Sequence, residues 1–129
     1  MPADYRIDVE QATVFSRASG RLTDDDLQNH QRRLREDPDF RPDLNQLFDF
    51  QTVTDLQVTA AGIRILAERN PFGAGARRAF VVASQVMYGM LRMFQILTDD
   101  HPDELRVQFS DLEAARAWLG LPSGHGNAA

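Results

Sequence analysis

The chain has no cysteine, no lysine and no apolar run long enough to span a membrane. The absence of cysteine excludes a disulfide, a thiolate metal site and a cysteine nucleophile. All 14 basic residues are arginine, and the net charge of −5 argues against a general nucleic-acid binder, which is usually basic. The first residues also lack the basic and then apolar pattern of a secretory signal. We therefore expect a bacterial-type cytoplasmic protein with no membrane span and no nucleic-acid partner.

What is present is the composition of one ordinary globular domain. Hydrophobic residues make up 43% of the 129 positions and charged residues 26%, and both fractions are typical of soluble proteins. The length suits a single continuous core. We expect one domain over residues 1–122, followed by a small, polar and flexible tail at residues 123–129.

Short apolar segments predict five β-strands. They occupy residues 5–9, 14–18, 44–50, 78–83 and 105–109. Gly20 and Arg21 are expected to end the first pair of strands, and a polar loop is expected after Phe50. The segment at residues 78–83 is the most apolar in the chain, so its strand should be buried on both faces.

A capping pattern predicts the first helix. Thr23 can cap the helix, and Asp26 lies three residues later, as in a capping box. A proline after Asp37 is expected to end it. Only Leu27 and Leu34 mark a buried stripe, so this helix should lie on the surface of the domain.

Three further helices follow from caps and periodicity. The second begins at Thr59, the third spans residues 85–97, and the fourth begins at a capping box over residues 110–113. Gly120 is expected to end the fourth helix. The order is therefore ββαβαβαβα. It predicts an α/β domain with a mostly parallel five-stranded sheet and four principal helices.

Several motifs occur at corresponding places in a known fold. They include Gly20-Arg21-Leu22-Thr23, Asp37-Pro38-Asp39-Phe40, Leu47-Phe48-Asp49-Phe50, Arg78-Ala79-Phe80-Val81, Tyr88-Gly89-Met90 with Arg92-Met93-Phe94, and Ala117-Trp118-Leu119-Gly120. Over residues 5–121 they resemble the SpoIIAA-like branch of the STAS fold, which includes anti-sigma-factor antagonists. Structural relatives of that branch include the lipid-carrying CRAL-TRIO (Sec14-like) domains. The resemblance implies either a non-catalytic regulatory domain that acts by protein contact, or a carrier of an apolar ligand, in both cases without a cofactor.

The junction between the third strand and the second helix is the first candidate site, since open α/β sheets usually keep their working groups at such junctions. Phosphorylatable anti-sigma antagonists resemble this chain but have an Asp-Ser-Ser/Thr-Gly switch there. Residues 57–62 offer Thr59 as the one hydroxyl and lack the preceding aspartate. Thr59, with the backbone of Ala60, is either a phosphate acceptor or anion contact, or simply a helix cap.

Acidic and histidine side chains offer a second set of candidates. Asp49 near the end of its strand and Asp55 in the following loop could form a carboxylate pair, or Asp49 could be satisfied by loop amides. Consecutive acids at residues 24–26 point to different sides of a helix, which favours capping over metal binding. No histidine shows metal-ligand spacing among His30, His101 and His125. We therefore expect no metal site and no catalytic set.

The helix at residues 85–97 offers two more candidate surfaces. Its broad apolar face should pack on the sheet or line an adaptable pocket, and comprises Val86, Met87, Met90, Leu91, Met93, Phe94 and Leu97. Met87, Met90 and Phe94 are the candidate contacts to an apolar ligand. Tyr88, Arg92 and Ile96 lie on the opposite side, where residue types favoured at interfaces suggest a homodimer.

Three hypotheses about function follow. The first is a cytoplasmic regulatory domain that acts through protein–protein contact as a homodimer and has no catalysis. The second is a small carrier or sensor that holds an apolar or amphipathic, lipid-like ligand against the sheet. The third, an enzyme, is the weakest because no convergent nucleophile, base or metal set is visible in the sequence.

Overall fold

The computed structural model describes residues 2–98 and 104–123. Within them, the strands are β1 (Ala3–Asp8), β2 (Thr13–Thr23), β3 (Asn45–Gln57), β4 (Arg78–Val82) and β5 (Leu105–Phe109). The helices of the same residues are α1 (Asp24–Glu36), α2 (Ala60–Glu68), α3 (Gln85–Leu97) and α4 (Leu112–Trp118). This confirms the predicted order and the α/β class. His101, His125 and most of the predicted tail lie outside the described residues.

The five strands form one mixed sheet whose order follows the chain, β1-β2-β3-β4-β5. β1 pairs antiparallel with β2, and the other three pairs are parallel. Right-handed crossovers between neighbouring parallel strands place all three intervening helices on the same face of the sheet. Helices α1, α2 and α3 accordingly share one hydrophobic cluster with Phe48 and Phe80, while α4 packs against Leu47 and Val81 on the other face.

Helix α1 begins as its sequence predicts. The Thr23 hydroxyl accepts a hydrogen bond from the Asp26 backbone N–H at 3.2 Å, and the Asp26 carboxylate accepts one from the Thr23 N–H at 2.9 Å. Asp37 is the C-cap. The predicted buried stripe was incomplete, because His30 and Gln31 are buried together with the two leucines. The four positions follow helical spacing, so α1 packs one full face against the sheet.

Strands β2 and β3 are longer than predicted. β2 does not end at Gly20 but continues to Thr23, and β3 continues past Phe50 to Gln57, so the predicted polar loop is strand. The two strands stay paired in parallel to their ends, with register shifts around Gly20, whose φ of +63° suits glycine. β3 pairs with β4 only up to Asp49, so the later part of β3 is paired on the β2 side alone.

The core confirms one strand prediction and corrects two details of the later helices. All of β4 is buried, as its apolar sequence predicts. Val86 and Leu97 on α3 were expected to face the core but are 61% and 44% exposed. The α4 cap is Asp111 and not Ser110, because the Ser110 N–H still bonds to the Val82 carbonyl at 2.9 Å and so continues the sheet.

Candidate functional site

A small, partly open cavity lies between the sheet and the three helices that share its face. Its volume is about 50 Å³. Its floor is formed by alternate residues of β3 and β4, and its walls by α1, α2, α3 and the loop that follows α2. The lining residues are Leu27, His30, Gln31, Leu34, Gln46, Phe48, Phe50, Ile63, Leu66, Pro71, Phe72, Arg78, Phe80, Leu91 and Phe94.

Aromatic rings form much of this wall. Phe48 and Phe50 stack with their ring centroids 4.1 Å apart, and both meet Phe80 edge to face at about 6 Å. Phe94 on α3 also contacts Phe80, with centroids 6.0 Å apart. The edge-to-face pairs lie at distances that aromatic pairs favour, and the rings together make the floor of the cavity apolar.

Arg78, the first residue of β4, brings a cationic group to the cavity. Arg78 is only 6% exposed. Its Nε donates to Gln46 Oε1 and its Nη1 to Asn70 Oδ1, each at 3.1 Å. The guanidinium carbon lies 4.2 Å from the ring centroid of Phe72. Hydrogen bonds and ring contact together fix the planar group in one orientation.

A chain of buried polar groups continues from Arg78 to helix α1. Gln46 Nε2 donates to Ser16 Oγ at 3.1 Å, and Ser16 Oγ lies 2.9 Å from His30 Nε2. Because the Ser16 oxygen already accepts a hydrogen bond, its own proton can go to an unprotonated His30 Nε2. Each of these side chains therefore has at least one buried hydrogen-bond partner, as is usual for buried polar groups.

The surroundings of His30 keep its imidazole neutral. Burial, reinforced by the positive charges of Arg33 and Arg78, lowers the pKa of His30 to about 4. Phe48 lies against the ring, with centroids 4.8 Å apart, and Tyr5 meets it edge-on at 5.6 Å. At neutral pH the cavity therefore contains an uncharged histidine beside a charged arginine.

The predicted ligand contacts on α3 fall only partly on this cavity. Phe94 lines it, whereas Met87 and Met90 do not. Met87 is buried in the core below the helix, and Met90 is half-buried at its edge. The methionines thus fill the core, which was the alternative interpretation of their positions.

Thr59 is a helix cap whose hydroxyl is already engaged. Its oxygen accepts a hydrogen bond from the Gly62 N–H at 3.0 Å. Asp24 accepts two more, from the Thr59 N–H at 2.9 Å and from the Thr59 hydroxyl at 2.6 Å. The Asp24 carboxylate therefore occupies the position at the start of α2 where an external anion would bind. Ala60, the first residue of α2, is exposed beside it.

The two candidate aspartates of β3 do not form a pair. Asp49 lies within the strand, on the face that α4 covers, and its carboxylate accepts hydrogen bonds from the N–H and the side chain of Gln51. Asp55 is exposed, and its Oδ2 lies 3.8 Å from Arg21 Nε. Its Oδ1 accepts a hydrogen bond from the Gln57 side chain. Neither aspartate lines the cavity. The prediction that Asp49 lies near the strand's end and Asp55 in a loop is wrong, because β3 continues through both.

The three predicted interface residues of α3, Tyr88, Arg92 and Ile96, are not equally exposed. Tyr88 is half-buried and stacks on Phe109 of β5, with ring centroids 4.9 Å apart. Arg92 is exposed and donates to Gln95 Oε1 at 2.9 Å. Ile96 is 70% exposed. The side chain of Tyr88 thus packs against β5. Of the three predicted interface residues, Ile96 is the exposed apolar one.

Sequence reasoning missed the polar groups of the cavity, although a signal for them existed. His30 and Gln31 lie at the helical spacing set by Leu27 and Leu34, which makes them members of the buried stripe. Gln46 shares the strand period of Phe48 and Phe50, and Arg78 that of Phe80. A polar residue in register with a buried face is the pattern that predicts a polar group inside the core. The polar groups of the cavity also lie where β3 and β4 begin, whereas the sequence pointed to the junction between β3 and α2 as the first candidate site.

Comparison with protein-family models, with curated proteins and with solved structures found no match for the chain. In residues 2–98 and 104–123, no three histidine, aspartate or glutamate side chains are grouped closely enough to hold a metal ion. Over the same ranges, none of the helices combines the length and apolar character that crossing a bilayer requires.

Proposed function

We propose that the domain binds a small, mainly apolar molecule in this cavity and acts as a carrier or a sensor of it. The single observation behind the proposal is the aromatic cavity that encloses a buried arginine and a neutral histidine. Ligand sites in proteins are typically concave and apolar with a few fixed polar groups, and this cavity has that composition. The proposal agrees with the second role that the Sec14-like resemblance implies.

The size of the cavity favours a short ligand over a long acyl chain. One water molecule needs about 10–15 Å³ of cavity volume. The cavity therefore accepts on the order of four non-hydrogen atoms before any side chain moves. A longer molecule would extend through the open side. The ligand we propose is therefore smaller than a membrane lipid.

Binding without catalysis is the form of the proposal that the buried polar groups support. Ser16 and His30 are in hydrogen-bond contact, as a nucleophile and its base would be, but Ser16 does not line the cavity. Burial also lowers the pKa of His30 to about 4, which makes its imidazole a weak base at neutral pH. We expect no turnover that depends on this pair.

Two measurements test ligand binding. Native mass spectrometry of the purified protein should detect a small molecule that copurifies with it. In a methyl NMR titration, butan-1-ol should shift the methyl signals of Leu27 and Ile63, which line the cavity, and not those of Leu47 and Val81 on the opposite face. Equal shifts on both faces, or none at millimolar alcohol, would refute the proposal.

A second proposed function is a contact of α3 with a second copy of the chain or with a regulatory protein. Of the large hydrophobic side chains that are exposed among the described residues, three lie on this one helix, Val86, Ile96 and Leu97. Ile96 and Leu97 are neighbours at the end of the helix, and adjacent exposed apolar side chains are typical of an interaction surface. The two proposals are compatible with one regulatory role. A ligand bound beneath α3 would then change the protein contact made by the outer side of α3.

The setting proposed for either role is the cytoplasm, without nucleic acid as a partner. The net charge of −5 and the absence of cysteine support it. A fusion to a fluorescent protein in a bacterial host would report the location directly, and peripheral fluorescence would contradict it.

A further inference from the structure

The buried glutamines of the described residues differ in one respect. The amide oxygens of Gln46 and Gln95 each accept a hydrogen bond from an arginine side chain, at 3.1 and 2.9 Å. Gln31 Nε2 donates to the Leu66 carbonyl at 2.9 Å, which identifies the other amide atom as the acceptor Oε1. Within the described residues, no group donates to Gln31 Oε1. Because Gln31 lines the cavity, a molecule in the cavity can supply the missing donor.

His30, the residue before Gln31, offers the complementary group. Its Nε2 lies 2.9 Å from Ser16 Oγ, which already accepts a hydrogen bond from Gln46. With the Ser16 proton directed to Nε2, the one proton of the neutral imidazole is on Nδ1. His30 also lines the cavity, and Nδ1 has no acceptor in the part of the chain that the structure describes. Two consecutive residues therefore offer one acceptor and one donor to a ligand.

These two groups select the polar part of the ligand. Both are neutral, and most of the remaining wall is aromatic or aliphatic, so a buried charge on the ligand would be costly. A hydroxyl group both donates and accepts through a single oxygen atom, which matches the pair. A ketone accepts only, and a carboxamide has more hydrogen-bonding groups than the pair can satisfy.

We propose that the cavity binds a short-chain alcohol, whose hydroxyl group donates to Gln31 Oε1 and accepts a hydrogen bond from His30 Nδ1. The alkyl chain lies among Phe48, Phe80 and Phe94. This inference rests on the proposed ligand-binding function and names the class of ligand. The volume of about 50 Å³ suits roughly three to five non-hydrogen atoms.

The first test compares three probes on the wild-type protein by methyl NMR titration, followed at Leu27 and Ile63 of the cavity wall. Butan-2-ol and butan-2-one have the same carbon skeleton, and butanamide is the probe with more hydrogen-bonding groups. We expect butan-2-ol to bind about three- to tenfold more tightly than butan-2-one, because the ketone cannot donate to Gln31. Butanamide should bind more weakly than the alcohol.

Each other outcome has a distinct meaning. A ketone that binds as tightly as the alcohol would overturn the alcohol and leave the ligand-binding function standing. Tighter binding of butanamide would overturn the alcohol in favour of an amide ligand. Binding of none of the three probes would refute the inference and the proposed function together.

The second test uses two buried glutamines as a matched pair. Gln31 and Gln95 each donate to a backbone carbonyl at 2.9 Å, but Gln95 does not line the cavity. Gln31→Met should abolish the preference for butan-2-ol over butan-2-one, whereas Gln95→Met should keep the wild-type ratio. A preference that survives in Gln31→Met would overturn the role of Gln31 and, with it, the inference.

A readout on the wild-type protein keeps the inference testable even if Gln31→Met does not fold. Nitrogen-15 NMR of the imidazole at neutral pH, assigned by comparison with His30→Gln, reports which ring nitrogen is protonated. We expect the proton on Nδ1, and a change in the Nδ1 signal when butan-2-ol binds. A proton on Nε2, or an Nδ1 signal that saturating butan-2-ol leaves unchanged, would overturn the inference.

Discussion

At the scale of single residues, the buried imidazole of His30 makes the stability of the fold depend on pH. Its pKa is about 4 in the folded protein and about 6.5 in an unfolded chain, so the unfolded state binds more protons between these values. The free energy of unfolding should therefore be highest above pH 6.5 and fall as the pH drops towards 4. The depression corresponds to a loss of up to roughly 3 kcal/mol.

Urea unfolding of the wild type and of His30→Gln at several pH values measures this effect. Carboxylates titrate in both proteins, so the difference between them isolates the histidine. We expect the wild type to lose more of its free energy of unfolding than His30→Gln as the pH falls from about 6.5 to 4. A constant difference over that range would show that His30 is protonated in the fold as easily as in the unfolded chain.

A second residue-scale effect concerns Gly62 in the first turn of α2. A methyl group at this position would overlap the Asp24 carboxylate, which bonds to Thr59. Gly62→Ala must displace that carboxylate, and each hydrogen bond lost costs roughly 1 kcal/mol, which offsets the gain in helix propensity. Gly89→Ala is the control, because nothing lies near a methyl group at this helical glycine.

Chemical unfolding should distinguish the two glycines. We expect Gly89→Ala to raise the free energy of unfolding by about 0.5–1 kcal/mol and Gly62→Ala to leave it unchanged or lower it. In an Asp24→Ala background, Gly62→Ala should stabilise by about as much as Gly89→Ala, since the obstacle is gone. A gain at Gly62 that does not depend on Asp24 would refute the contact.

At the scale of elements, the sequence predicted the number, type and order of strands and helices because each has a strong local signal. Thr23 and Asp26 fix the start of α1 by a hydrogen-bonded box that involves only neighbours in the chain. The residues of β4 after Arg78 are all apolar, and the strand is buried on both faces. Signals of this kind do not depend on what lies across the sheet.

What the sequence could not predict depends on partners that are distant in the chain. β3 extends through Asp55 because β2 pairs with it as far as Gln57, although this stretch is polar and resembles a loop. The cap of α4 is shifted because Ser110 remains bonded to Val82. Arg78 and Gln46 belong to two different predicted strands, and their neighbouring positions in the register of the sheet bring them into one cavity.

The element-scale prediction concerns self-association through α3. Ile96 is 70% exposed, and a dimer that uses the outer side of α3 would bury it. Sedimentation should find Ile96→Asp less associated than the wild type, because a charge would have to be buried in the contact. Val9→Asp is the matched control, since Val9 is also exposed but lies near the turn after β1. A monomeric wild type at high concentration, or a dimeric Ile96→Asp, would refute the contact.

At the scale of the whole molecule, the two faces of the sheet are packed differently. Leu47, Ala79 and Val81 pack with α4 on one face, while the three-helix face encloses the cavity with its buried polar chain. Unfilled volume in a core costs about 24 cal/mol per Å³, so the cavity lowers the stability of the fold by roughly 1 kcal/mol. A ligand that fills it should restore part of that free energy.

The same reasoning predicts that one substitution that fills the cavity should raise the stability of the fold and abolish ligand binding. Leu66 lines the cavity and is 7% exposed, so Leu66→Phe can place the added atoms in existing space. We expect it to raise the free energy of unfolding by up to about 1 kcal/mol and to abolish the response to butan-1-ol. Leu119→Phe makes the same change on the opposite face, away from the cavity, and should cost about 1–3 kcal/mol by overpacking while leaving alcohol binding intact. If both variants are destabilised alike and Leu66→Phe still binds the alcohol, the space under the three helices is not the binding site.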